Sequence, residues 1–373
     1  MLGKIRFAVF IGFAVSFICI VWGLGSAAEP PVLARLSGAE KERVAKLIEG
    51  AKKEGELIGY SGALRPDVQS GLFSKFREEY GFSEADLRLK IISTRSATIA
   101  ARINEELRAK VFKTDVIHDS IINWFNDLVA KGALMPYNCP EYKNFSPLSV
   151  NPEVAPANPP YFISSQFSIY AILYNPKYVK GEIIHWKDVL RPEYKGKISC
   201  GDLSKSPSYI DGCLVIRKIL DTSFFRELGK QDPFVLVSAS DLVNKAITGE
   251  YPIVVISSQG PAFRANLKGA GLKLVFPPEG CAAGGYTMAV LANPPHPNAS
   301  KLFMDFYHSE SAQKIMLESG FPIGRLGLKS KYPEFPVPIY DLKGYTPIDW
   351  RKIGDQERDN MREEFRRLVI ERK

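Results

Sequence analysis

The sequence predicts an α/β protein of two lobes joined by crossing strands, and three observations carry that prediction. Strand and helix patterns alternate three times between Leu57 and Gly132, which points to a largely parallel sheet with helices on both faces. A β-branched and aromatic run from Phe162 to Asn175 lies near the middle of the chain and stops at Pro176, so it reads as a long strand ended by a turn. The alternation then starts again, which makes this run a crossing between lobes, with a ligand cleft where they meet.

Each element follows from its pattern. Ala39 to Lys53 is an amphipathic helix closed by Gly55, and Leu57 to Tyr60 is a strand delivering Ser61-Gly62. Val68, Leu72, Phe73, Phe76 and Tyr80 recur at helical spacing, then Leu87, Leu89 and Ile91 alternate as a strand ending in Thr94-Arg95-Ser96. Ile99, Ile103 and Leu107 form the next helix. Asp115 to Asp119 is a third strand, followed by a helix bearing Trp124 and Phe125. Pro136 to Pro160 lacks periodicity and is expected to wrap the surface.

In the second lobe, a short helix over Trp186 to Leu190 and a strand over Lys197 to Cys200 precede a helix capped by Ser206 and running to Leu220. Phe234 to Val237, Ile253 to Ser257 and Leu272 to Phe276 read as strands, with a helix at Asp241 to Thr248. Tyr286 to Leu291 is a second crossing strand returning to the first lobe. Helices over Ala299 to Tyr307 and Ser311 to Ser319 follow. A charged helix near Glu357 to Arg372 is expected to present a solvated, partly packed face.

The chain has 373 residues, 45% of them hydrophobic, enough for two cores. Lys4 and Arg6 precede an apolar run from Phe7 to Leu24, and Ser26-Ala27-Ala28 supplies small residues for cleavage. This order predicts a signal peptide over 1–28 and a monomeric mature protein in the periplasm beginning near Glu29. The run exceeds the usual ~7–15 residues, so an uncleaved anchor is the alternative. Cys19 lacks the small residues expected before a lipid-modified cysteine.

Loss of the leader lowers the formal charge from +8 to +6. That excess favours anionic ligands, but the basic residues are scattered among acidic ones, so no nucleic-acid partner is expected. Cys139, Cys200, Cys213 and Cys281 remain, as buried thiols or with a disulfide, for which Cys200 and Cys213 are the simplest pair. No metal-type spacing joins them to His118, His185, His296 or His308, and neither metal nor cofactor is expected.

A family likeness rests on motifs in a fixed order. Leu173-Tyr174-Asn175-Pro176, then Trp186-Lys187-Asp188-Val189-Leu190 and Pro192-Glu193-Tyr194-Lys195-Gly196-Lys197-Ile198, resemble the middle of extracellular solute-binding proteins of ABC importers, in the group related to ferric-iron-binding proteins. Asp115-Val116, Gly249-Glu250-Tyr251-Pro252 and His296-Pro297-Asn298-Ala299 before Phe303-Met304-Asp305-Phe306 are similar to that group too. The likeness spans residues 50 to 325. It implies a type II periplasmic-binding-protein fold that hands its ligand to a permease of the inner membrane. Lobe 1 is then expected over 29–163 and 290–330, lobe 2 over 164–289, and a C-terminal extension with its terminal helix over 331–373. Iron-binding members place adjacent tyrosines where this chain has Gln259-Gly260, and often a histidine where it has Ser61. Both departures disfavour ferric iron, a hard cation that needs phenolate or carboxylate oxygens.

The predicted cleft ends are Ser61-Gly62, Thr94-Arg95-Ser96, Ser204-Lys205-Ser206 and Ser258-Gln259-Gly260, each ahead of a helix. Helix N-termini present unsatisfied N–H groups and partial positive charge, suited to a carboxylate, phosphate or phosphonate. Arg95 adds a bidentate donor. The same hydroxyls equally serve as caps of their own helices. Tyr286 is a candidate to pack on ligand or core, Asp119 to bind an amine or accept backbone N–H groups, and His118 reads as a structural histidine. A ferric-iron carrier, a ligand-sensing receptor partner and a secreted hydrolase are the alternatives. The last lacks Gly-x-Ser-x-Gly, a phosphate loop and His-Glu-x-x-His.

Overall fold

The computed structural model describes residues 28–147, 149, 161–202, 207–332, 337–342 and 353–373. The leader expected over 1–28, all but Ala28, lies outside the described residues, as do Ser204, Lys205 and Ser206. Among the described residues no helix is long and apolar enough to cross a membrane.

The first half is built from β1 (Glu56–Ser61), β2 (Arg88–Ser93) and β3 (Val116–Asp119), all parallel. A short helix α1 (Pro31–Ala34) and the amphipathic α2 (Gly38–Glu54) precede them, and α3 (Pro66–Tyr80), α4 (Ser96–Ala109) and α5 (Ile122–Ala130) follow the three strands in turn. Gly55 ends α2 at φ 71°, a left-handed cap that costs a residue without Cβ little.

The mid-chain run forms β4 (Ser164–Tyr174), buried along its whole length. β5 (Ile198–Gly201), α6 (Pro207–Lys230), β6 (Phe234–Leu236), α7 (Ala239–Thr248), β7 (Ile253–Ser258), α8 (Gln259–Leu267) and β8 (Lys273–Val275) build the second half. The return strand is β9 (Ala282–Val290), followed by α9 (Pro297–Tyr307), α10 (Glu310–Glu318) and the terminal α11 (Asp355–Phe365). One sheet runs in the order β2-β1-β3-β9-β4-β7-β5-β6, with β8 on β4. β4 and β9 pair antiparallel at its centre, and each continues into one half, β9 against β3 and β4 against β7.

Three elements differ from their predicted form. Trp186–Leu190 is a 3₁₀ turn. The helix expected to stop at Leu220 does break there, because Asp221 adopts φ 59°, but a second helical segment follows at once. The Asp221 carboxylate accepts the Ser223 N–H at 2.5 Å and caps that segment, which buries Phe224, Phe225 and Leu228. α11 and the turn after it bury Met361, Phe365, Leu368 and Val369 against α6, so this helix is an integral part of the core rather than a solvated face.

The motif residues hold the frame. Asn175 donates to the Ala246 carbonyl at 2.9 Å and accepts the Lys177 N–H at 3.1 Å, turning the chain out of β4. Asp188 accepts the Ile184 and His185 N–H groups, each at 2.8 Å, while Trp186 donates to the Gly280 carbonyl at 2.8 Å. Buried Asp115 ties β1 to the loop before α9, taking the Ile58 N–H at 2.7 Å and the His296 N–H and Nδ1 at 2.8 Å. The four cysteines of the described chain are buried and none is in a disulfide. Burial pushes the Cys200 and Cys281 thiols up to about 12.

Candidate functional site

At the carboxyl end of β1 the chain turns over Ser61. Its hydroxyl oxygen accepts the Ala63 and Leu64 N–H groups at 3.1 and 2.8 Å and lies 2.9 Å from His118 Nδ1. With both lone pairs engaged, the hydroxyl donates to Nδ1, which leaves the imidazole proton on Nε2. Burial holds His118 down to about 3, so the ring is neutral and structural. Gly62 comes next because no side chain fits: a methyl there would collide with Asp119 Oδ2. Asp119 is fully buried and accepts the Ser120 and Ile121 N–H groups through Oδ1 at 2.7 and 3.3 Å. Burial raises its pKa, opposed by the Ser96 hydroxyl and those N–H groups. Thr94 donates its N–H to the Ser61 carbonyl at 3.0 Å, and Arg95 is the exposed residue preceding α4.

On the opposite side β7 carries a bulge. Two steps along β4, from Ala171 to Leu173, face three along β7, from Ser257 to Val254, with Ile256 at φ 58°. Such a bulge bends its strand and re-aims the residues beyond it, here Ser257, Ser258 and Gln259. Gln259 Oε1 accepts the Ile169 N–H at 2.7 Å and its Nε2 donates to the Gly320 carbonyl at 3.3 Å, fastening the start of α8 to β4 and to the turn after α10. The Ser168 and Ser258 hydroxyls bond each other at 2.9 Å.

These edges enclose a cavity of about 220 Å³ between the halves. Gly62, Gln259 and Tyr286 of the predicted site residues line it, with Phe167, Ser168 and Phe321 beside them. Ser61, Thr94, Ser96 and Asp119 stand behind the wall or beside it as supports, and Arg95 does not line it. Tyr286 stacks on His118, with ring centroids 5.7 Å apart and planes 21° apart, and meets Phe321 edge-on at 5.9 Å. Burial, then the Asp119 carboxylate, push its hydroxyl up to about 12.

Two arginines missed from sequence supply the charge. Arg65 lies at the start of α3 and Arg264 in the second turn of α8, so one comes from each half. Arg65 binds Asp67 at 3.0 Å. Arg264 has neither hydrogen bond nor ion pair among the described residues. Burial and then the nearby Arg65 pull its pKa down from the ordinary guanidinium value, opposed by the Asp67 carboxylate. Its Nη1 folds back over the first turn of α8, 3.4 Å from where a methyl on Gly260 would sit. No carboxylate lines the cavity among the described residues. Arg65 and Arg264 also line a neighbouring groove of about 790 Å³, whose wall carries Asp67 and Glu318. No group of three or more His, Cys, Asp or Glu that could hold a metal ion occurs among the described residues.

Two α/β halves, joined by paired crossing strands and enclosing a polar cleft, define a two-lobed ligand-binding protein of the type II periplasmic class. Residues 113–353 match the model of the bacterial extracellular solute-binding proteins, and the chain belongs to that family. No curated protein matches it in sequence. Among solved structures it is similar to the periplasmic binding protein AfuA from Actinobacillus pleuropneumoniae with fructose-6-phosphate bound. There the identity is 18%, covering 85% of this chain and 99% of that one, with a TM-score of 0.67. Iron-bound HitA from Pseudomonas aeruginosa shares 18% identity over 83% and 98% of the chains, with a TM-score of 0.65. The spermidine/putrescine substrate-binding protein PotD from Streptococcus pneumoniae shares 16% over 85% and 99%, at 0.67. Such identities carry the fold. The family carries the coarse function, a solute-binding component of an ABC transporter.

Proposed function

We propose that this protein captures a small anionic solute, an organic acid or a phosphorus oxyanion ester, in the interlobe cleft. As a periplasmic monomer it delivers that solute to a permease in the inner membrane. Lobe 1 comprises 29–163 and 290–330 and lobe 2 comprises 164–289. The observation that supports the anion most is the pair Arg65 and Arg264, presented from opposite halves to a cavity without a carboxylate in its described wall. A guanidinium that is half-buried, short of partners and repelled by its neighbour gains most when an anion arrives between the two. The first turn of α8, with Gln259 and Gly260 on the wall, adds backbone donors.

The structural neighbours bind a sugar phosphate in AfuA and iron in HitA. For iron the wall here offers Tyr286 as its single phenol among the described residues, a poor set for a hard trivalent cation. A thermal-shift series with small carboxylates, phosphate and phosphonates tests the proposal. A bound anion at about a hundred times its Kd stabilises by about 2.7 kcal/mol. That shift should fall to about 1.4 kcal/mol or less in Arg264→Gln. Stabilisation by ferric iron or by polyamines, with none from anions, would overturn it.

A further inference from the structure

The polar groups of the cleft are largely committed to one another, and that limits what the rest of the ligand can be. Ser61 spends its hydroxyl on His118 and two N–H groups. Ser168 and Ser258 share one hydrogen bond, which leaves a single hydroxyl hydrogen between them. Gln259 spends both ends of its amide on backbone. Beyond the arginines, Tyr286 and Ser319 are the side-chain hydroxyls on the wall with no hydrogen-bond partner among the described residues. With the first turn of α8 given to the anion, these few side-chain groups would leave much of a polyhydroxylated ligand unpaired, at the desolvation cost of each unpaired group.

The aromatic side of the cavity is free by comparison. Tyr286 is half-buried with His118 stacked on it, and on the same wall Phe321 stands at 88° to it, with Phe167 also lining the cavity. Perpendicular rings form a corner that suits a flat or branched apolar group, which can stack on one ring and meet the other edge-on. The arginines stand on the same wall. We propose, resting on the anion reading above, that the ligand is a compact amphiphile: one carboxylate or phosphonate held by Arg65 and Arg264, and an aromatic or branched apolar body seated on Tyr286 and Phe321.

Calorimetry on the full chain with benzoate, phenylphosphonate, glycerol 3-phosphate and inorganic phosphate tests this. Benzoate or phenylphosphonate should bind about tenfold or more tighter than glycerol 3-phosphate, the gain expected from burying a few apolar carbons. Phe321→Ala should remove most of that preference, lowering the affinity for benzoate and phenylphosphonate far more than that for phosphate, while Tyr286→Phe, which keeps the ring, should preserve it. Tighter binding of glycerol 3-phosphate, still dependent on Arg264, would overturn the apolar body while the anion reading stood. A preference that survives Phe321→Ala would overturn the assigned corner. Binding of none of the four would bring down the anion reading itself.

Discussion

Arg264 shows what a single side chain contributes here. It has no ion pair among the described residues and a neighbour of like charge, so its replacement should leave the fold almost untouched. Arg264→Gln is expected to weaken anion binding by about 1.5–3 kcal/mol, tenfold to more than a hundredfold, with an unchanged urea midpoint. Calorimetry and urea unfolding check the two halves of that statement. Gly62→Ala should do the reverse: the added methyl meets Asp119, and overpacking of this kind costs about 1–3 kcal/mol. Buried His118 and His308, held down to about 3 and about 4, make stability pH-dependent. Their folded values lie below the unfolded ~6.5, so their stability is present above that pH and is lost as pH falls toward the folded values. From pH 7.5 to 5.5 each should cost about 1.4 kcal/mol. The raised carboxyls Asp115, Asp119 and Asp305 act with the opposite sign, so the sum is an upper limit. Urea unfolding at the two pH values reads it, and a flat profile would contradict it. The loops at the strand ends are legible in the sequence because small hydroxyls and glycine before a helix are a local signal. Arg65 and Arg264 are not, since facing the cleft depends on the opposite half, which no local pattern encodes. Arg95 has the better sequence context and the exposed position.

Among elements, the strands are the easiest to read, because alternation and β-branched runs survive burial in any sheet. The pattern predicts β4 from Phe162 to Asn175, and the strand occupies Ser164–Tyr174. The bulge at Ile256 is invisible in the sequence, for a β-branched residue at positive φ runs against local preference, and it falls one residue past the last pair of β7 with β5, at Val255. The many charges of the terminal helix predict a largely solvated face. Met361, Phe365, Leu368 and Val369 do recur at helical spacing, a stripe that the mean polarity of the segment conceals. Phe365 meets Phe225 edge-on at 6.2 Å and is nearly fully buried. Phe365→Ala should therefore cost about 3–5 kcal/mol. A loss under ~1 kcal/mol in urea unfolding, the scale of an ordinary surface change, would mean the helix is not docked on α6 in solution.

For the whole molecule, the two-lobed plan is legible because it repeats: one alternation of strand and helix, a crossing strand, then the alternation again. The motif residues that reveal the family, Asp115, Asn175, Trp186 and Asp188, tie segments of the frame together and lie off the cavity wall. That is why they identify the fold and leave the ligand open. Under the anion proposal the ligand is chosen by the charge that the two halves bring to one cavity, Arg65 and Arg264. Native mass spectrometry should identify whatever small molecule co-purifies with the exported protein, and calorimetry should then compare wild type with Arg65→Gln/Arg264→Gln. The ligand is expected to be an anion whose affinity falls by about a hundredfold or more in the double variant, from the loss of two charge-assisted contacts. A neutral or cationic ligand, or an anion that the double variant binds as tightly as wild type, would contradict it.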